Sequence, residues 1–213
     1  MNFMNSKAYS AFETASNLLL INLLWLLMCL PIVTIFPATA AMFAVIRQSV
    51  LYKDSSVIRP FFRFFKENFK QSFLLGIIWL LIAFLLYFDY KFMNHFSSIR
   101  HILLPILFFF GILYSFSTVF LFSVMVHYKA NWRTVIKNAM FISISHFPST
   151  LLGLLILFGT AMLVMALPIT GAIIFSISTY GLFSLCNRSF RKIERLKGVE
   201  SVKEQYDVEF LEI

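Results

Sequence analysis

The chain has 213 residues, of which 60% are hydrophobic and only 13% charged, with 27 phenylalanines and a formal charge of +8. A soluble domain carries about 25% charged residues, so a soluble globular protein is excluded: there is too little polar surface to cover the apolar area. Nucleic acid is not an expected partner either, because the cations stand at the ends of hydrophobic runs and not along one soluble face.

Four stretches, 14–46, 71–88, 102–126 and 138–187, contain no Asp, Glu, Lys or Arg and together hold 126 residues. A charge-free apolar run of about 18 or more residues is long enough to cross a hydrocarbon core of about 30 Å as a helix. The expected fold is an all-α integral membrane protein of about five transmembrane helices, the first broken at Pro31 and Pro37. As one straight helix, the first run would reach about 50 Å, well past the bilayer core. One reading is a span ending near Val33, followed by a shorter embedded segment; the other is a helical hairpin. Residues 32–36 are too few and too apolar for an aqueous turn, which favours the first. Pro31, Thr34 and Pro37 form a candidate broken-helix site, since interrupted helices expose backbone groups that can bind a solute. Lys7 before an apolar stretch, and Ala38-Thr39-Ala40 in small-x-small form, resemble a signal peptide and its cleavage site. The apolar stretch continues through Ile46, and the segment is therefore read as part of the membrane domain.

Residues 59–74 form an amphipathic segment on the cytoplasmic side. At 100° per residue Arg59, Arg63, Lys66, Glu67, Lys70 and Gln71 share an arc of about 140°, opposite Phe61, Phe62, Phe64, Phe65, Phe69 and Phe73. Pro60 suits a first helical turn. Such a helix is expected to lie in the membrane interface, so Phe61, Arg63, Phe65, Lys66, Phe69 and Lys70 make a candidate surface for lipid or a partner protein. Spans two and three follow at 71–88 and 102–126. Pro168 and Gly171 divide the last run into spans at about 149–167 and 169–185. Residues 69–76 and 146–153 enter their spans with similar sequence, which suggests a weak internal repeat. Residues 1–190 are expected to form the transmembrane domain and 191–213 a cytoplasmic tail. Six of the ten acidic residues fall within 194–213. Val208, Phe210 and Leu211 leave docking and disorder both open for that tail.

Fifteen of the eighteen Lys and Arg residues lie in the connection after the first run, the connection after the third span, and the tail. The positive-inside rule places these in the cytoplasm. Five spans then put the C-terminus in the cytoplasm and the N-terminus outside, whereas a hairpin in the first run would put the N-terminus inside.

The chemistry of the runs is sparse. None of the acidic residues lies within a span, which argues against a carboxylate-coupled transporter. His95, His101, His127 and His146 have no metal-ligand spacing, although His127 and His146 share one connection. Cys29 and Cys186 read as small hydrophobes. No nucleophile elbow or phosphate loop occurs, so no catalytic residue, metal or cofactor is expected. Ser115, Ser117, Thr118, Ser176, Ser178 and Thr179 are expected to bond within or between helices, and Ala40 with Ala44 to allow close helix approach.

Residues 17–47 read NLLLINLLWLLMCLPIVTIFPATAAMFAVIR. An N-L-L-W pattern, then L-P-I-x-T, then P-A-x-x-A, carried by Asn22, Trp25, Leu30, Pro31, Thr34, Pro37, Ala38 and Ala41, resembles the YesL-like family of small bacterial membrane proteins. Residues 62–71 resemble the family's next segment, while Phe36 stands where a glycine is expected. The resemblance implies residence in the bacterial cytoplasmic membrane. It further implies a non-enzymatic accessory role beside ATP-driven (ABC) importers of oligosaccharides, with the permease subunits as partners besides membrane lipid. The chain lacks the E-A-A-x-x-x-G loop by which such permeases grip their ATPase. An independent small-solute carrier or channel using the broken first helix is the alternative.

Overall fold

A computed structural model describes residues 3–93, 100–128 and 130–211. Seven α-helices and two short 3-10 turns make up the described chain, with no strand among these residues. Helix α1 (Phe3–Met28) ends as the chain approaches Pro31, which has no N–H to continue the ladder. After a 3-10 turn at Ile32–Thr34, α2 (Ile35–Tyr52) begins. Pro37 is not a second break: it sits buried in the first turn of α2, where backbone N–H groups have no intrahelical acceptor in any case.

Among the described residues, five helices are long and apolar enough to cross a membrane: Ile32–Tyr52, Ile58–Phe92, Leu103–Tyr128, Phe147–Ala166 and Pro168–Arg195. The expected number is therefore found, with one change of place. The full-length candidate in the first run follows Pro31, while the apolar part of α1, Phe12–Met28, is the shorter piece. The longer piece lies after Pro31, not before it as the charge-free run suggests, because α2 does not stop at the first cation but runs on through Arg47 to Tyr52.

Helix α3 (Ile58–Met93) joins the amphipathic segment to the second span without interruption, since after Pro60 it contains no proline. Next come α4 (Arg100–Tyr128) and the amphipathic α5 (Trp132–Ser145). The chain bends at His146 (φ −115°, ψ 50°) into α6 (Phe147–Ala166), whose second residue is Pro148. A 3-10 turn at Pro168–Thr170 leads to α7 (Gly171–Leu211), 41 residues and about 60 Å long. The tail is thus helical in backbone as far as Leu211. The side chains of Val208, Phe210 and Leu211 lie outside the described residues, as do His95 and Lys129.

Helices α2 and α3 pack antiparallel, as do α6 and α7. Gln48 meets Arg63, and Phe36 meets Gly76, across α2 and α3. Trp79 meets Thr118 and Tyr114 across α3 and α4. Thr160 meets Ser178, and Ile156 meets Gly181, across α6 and α7. Helix α2 lies at the centre, its Ala38, Ala40, Ala41 and Ala44 all buried, so that small side chains admit close helix approach. The largest fully buried side chains are Phe61, Phe120, Phe183 and Phe190. Gly76 lies against Phe36 of α2, and Gly153 against Val119 of α4. The two segments read as similar in sequence differ in their helices, since α3 is continuous where α5 and α6 are separate.

Candidate functional site

Helices α1, α2, α4, α6 and α7 line a partly open cavity of about 300 Å³. Trp25, Phe43, Phe122 and Phe175 supply aromatic wall, and Thr39, Thr118, Thr160, Ser178 and Thr179 supply hydroxyls. Trp25 packs on Phe175 at 4.7 Å between ring centroids, while its Nε1 donates to Thr39 Oγ1 at 3.1 Å. One side chain of α1 thereby ties α2 to α7. Asn22, one turn earlier, is fully buried and donates through Nδ2 to the carbonyl of Gly171 at 3.1 Å.

The hydroxyl protons are already committed. Thr39 donates to Ile35 O, Thr118 to Tyr114 O and Thr160 to Ile156 O, each at 2.7 Å, and Thr179 to Phe175 O at 2.8 Å. Thr118 also accepts from Trp79 Nε1 at 2.9 Å. Because Thr160 has given its proton to the backbone, Ser178 is the donor across the 2.5 Å contact between their oxygens. No lining residue is ionisable. The cavity therefore presents aromatic faces, methyl groups and oxygen lone pairs, and suits an uncharged, largely apolar occupant. Ser115, Ser117 and Ser176 likewise bond carbonyls of their own helices, as expected from sequence.

The broken-helix residues do not open onto this cavity. Pro31 is exposed, and Thr34 Oγ1 lies 2.5 Å from Met28 O and 2.6 Å from Pro31 O, one proton shared between two carbonyls. Thr34 N also donates to Pro31 O at 3.0 Å. The backbone acceptors freed by the break are thus occupied by the chain itself.

The expected interfacial surface on α3 divides. Arg63, Lys66 and Lys70 are exposed, and Phe65 and Phe69 are half-buried and in edge contact at 5.5 Å. Phe61 is instead fully buried and unavailable to lipid or partner. The five-residue turn from α2 folds it inward together with Val57 and Pro60. Polar groups brace that turn: Asp54 accepts from Ser56 N at 2.9 Å, from Ser56 Oγ at 2.6 Å and from Gln48, while Arg63 donates through Nη2 to Gln48 at 3.4 Å and pairs through Nε with Glu67 at 3.9 Å. These hydrogen bonds, those of Ser56 first, hold the Asp54 carboxyl below its usual value of 3.8.

His127 pairs with Glu194 of α7 through Nε2 at 3.1 Å and stacks on Phe190 at 4.6 Å. Burial first, and the Lys192 charge second, hold His146 below the ordinary imidazole value. Among the described residues no three His, Cys, Asp or Glu side chains gather as a metal site would require. The links made by Asn22, Trp25 and Trp79 escaped the sequence reading. A polar or indole group inside an otherwise apolar run was the available signal for each.

Bundle and cavity together define a multi-pass helical membrane protein. Residues 18–90 match the family described as "Protein of unknown function, DUF624". The chain is 33% identical over 134 residues to "Uncharacterized protein YteU" of Bacillus subtilis (strain 168), covering 61% of this chain and 60% of that protein. It is 31% identical over 136 residues to "Uncharacterized protein YesL" of the same organism, covering 62% and 64%. The YesL-like resemblance read in residues 17–47 is thereby shown, and the chain spans less than two thirds of the length of either relative. No solved structure matches.

Proposed function

We propose that this protein is a non-enzymatic subunit of the bacterial cytoplasmic membrane that binds another membrane assembly and stabilises or regulates it. The permease subunits of an oligosaccharide ABC importer are the partner implied by the family resemblance. One observation supports this reading above others: the hydroxyls of the cavity give their protons to carbonyls and to one another, and no lining group is ionisable. Coupled transport needs a titratable or ion-binding group near the midplane, and catalysis needs an acid, base or nucleophile. Residues 1–190 then form the transmembrane unit and 191–213 a tail on the cytoplasmic side. Sixteen helical residues past Arg195, about 24 Å, would be offered there to a partner. In this topology the N-terminus is outside, and Arg63, Phe65, Lys66, Phe69 and Lys70 face the inner-leaflet interface or the partner. Co-purification of the tagged protein from its native host in mild detergent, with mass spectrometry of the retained chains, tests the proposal. Importer subunits are expected, and their absence under conditions that preserve such complexes would remove the assignment.

The cavity itself favours a second reading, an independent carrier of a small uncharged solute. Uptake by the purified protein alone in liposomes would establish it. Uptake that requires an added permease would favour the accessory role.

A further inference from the structure

A groove of about 500 Å³ runs between α6 and α7 on the outside of the bundle. Leu152 and Ile156 form one wall, Gly181, Ser184 and Leu185 the other, and Arg188 stands at its end. The floor is open because a Cβ at Gly181 would touch only the tip of Ile156, at 3.4 Å. Positions 181, 184, 185 and 188 share one face of α7, and the same face continues through Arg191, Lys192 and Arg195. Within a single turn this stripe changes from small and apolar to cationic. Arg188, Arg191, Lys192 and Arg195 are all exposed, and no ion pair occupies Arg188 among the described residues. Glu194, on the same helix, is paired with His127.

A second external groove, between α3 and α4, is of similar size, about 560 Å³. Its lining holds Leu107, Gly111 and Ile112 but no charged residue. The two grooves therefore separate what an apolar channel binds from what a cation adds.

We propose that the α6–α7 groove is a binding site for an anionic phospholipid, one acyl chain lying along Gly181 and Leu185 and the headgroup phosphate resting on Arg188 and the cations of the next two turns. The complementarity is twofold. The apolar section faces hydrocarbon, and the cations begin where the span reaches the interface, where anionic headgroups lie. A guanidinium suits the phosphate because it donates two parallel hydrogen bonds to its oxygens.

Native mass spectrometry of the intact protein, released from detergent after exchange with dioleoyl phosphatidylglycerol or dioleoyl phosphatidylcholine, tests the site. The unaltered protein should retain phosphatidylglycerol preferentially. Arg188→Gln should cut that preference about fivefold, the value of one interfacial cation. Gly181→Leu, and independently Ser184→Leu, should reduce retention of both lipids, with size-exclusion elution confirming that each variant is folded. Gly111→Leu, in the uncharged groove, should leave the preference unchanged. Equal retention of the two lipids by the unaltered protein would overturn the proposal. So would phosphatidylglycerol binding that survives both groove-filling substitutions, since the headgroup would then rest on the cations without a chain site. Displacement of the lipid by millimolar inorganic phosphate would also overturn it, by assigning the cations to a free anion.

Discussion

Gly153 offers a test of the packing with a sign that can be worked out beforehand. A Cβ at this position would lie 2.4 Å from Val119 Cγ1 and 3.4 Å from Leu182 Cδ2, against an ordinary carbon contact of about 3.5–4.0 Å. Val119 is buried and β-branched, so it has few rotamers to yield. Either its side chain leaves its rotamer or α4 and α6 move apart by about 1 Å, and overpacking of this kind costs about 1–3 kcal/mol. Alanine in place of glycine stabilises a helix by about 1 kcal/mol, which offsets part of that cost. Gly153→Ala should therefore destabilise by up to about 2 kcal/mol in equilibrium unfolding by SDS in mixed micelles. Gly159, on the same helix, has nothing within 4 Å of its added Cβ. Gly159→Ala should thus be neutral or stabilising by about 0.4–1 kcal/mol. Val119→Ala removes the clashing methyls, and a cycle of the two substitutions should show a favourable coupling of about 1 kcal/mol or more. If Gly153→Ala behaves like Gly159→Ala, or the cycle shows no coupling, the α4–α6 contact is wrongly described.

Asn22→Ala should remove the bond from α1 to the start of α7 at a cost of about 0.6–1.7 kcal/mol, with hydrogen exchange quickening at the amides around Gly171. The depressed Asp54 carboxyl stabilises the α2–α3 turn above its usual value of 3.8, and the contribution is lost as pH falls through its lower folded value; Asp54→Ala should remove that acid-side loss in pH-dependent melting curves. In a chain with Cys29→Ser and Cys186→Ala, cysteine placed at Ser6 should react with a membrane-impermeant maleimide in intact cells, whereas cysteine at Ser56 should react only after lysis; the reverse pattern would invert the proposed topology. Truncation after Arg195 retains Glu194 and its His127 partner, and it should leave the transmembrane unit folded by circular dichroism while lowering recovery of the partner.

The spans were legible in sequence because a charge inside hydrocarbon is costly, so absence of charge marks the membrane directly. Pro168 was legible for a similarly local reason, and the turn there is found at Pro168–Thr170. Pro37 misled because a proline's effect depends on where a helix begins: in the first turn of α2 its missing N–H costs nothing. Phe61 misled because periodicity identifies an apolar face but not whether lipid or protein covers it, and the α2–α3 turn decided that. The start of the fourth span, expected at about 149, is found two residues earlier, because Pro148 sits in the first turn of α6, where a proline is tolerated. The cavity was not legible at all. Its lining comes from five helices, and the commitment of Thr39 and Thr118 to two tryptophans exists only once those helices have packed.

An accessory subunit requires another protein to cover part of this bundle in the native membrane, and photo-crosslinking in living cells tests that most directly. Leu81 of α3, Phe158 of α6 and Ile177 of α7 are exposed and point from three different helices. A benzophenone side chain at each, at native expression level, should give from at least one position a discrete protein adduct, identified by mass spectrometry as a subunit of a sugar importer. Adducts with lipid alone from all three positions would contradict the proposed accessory role.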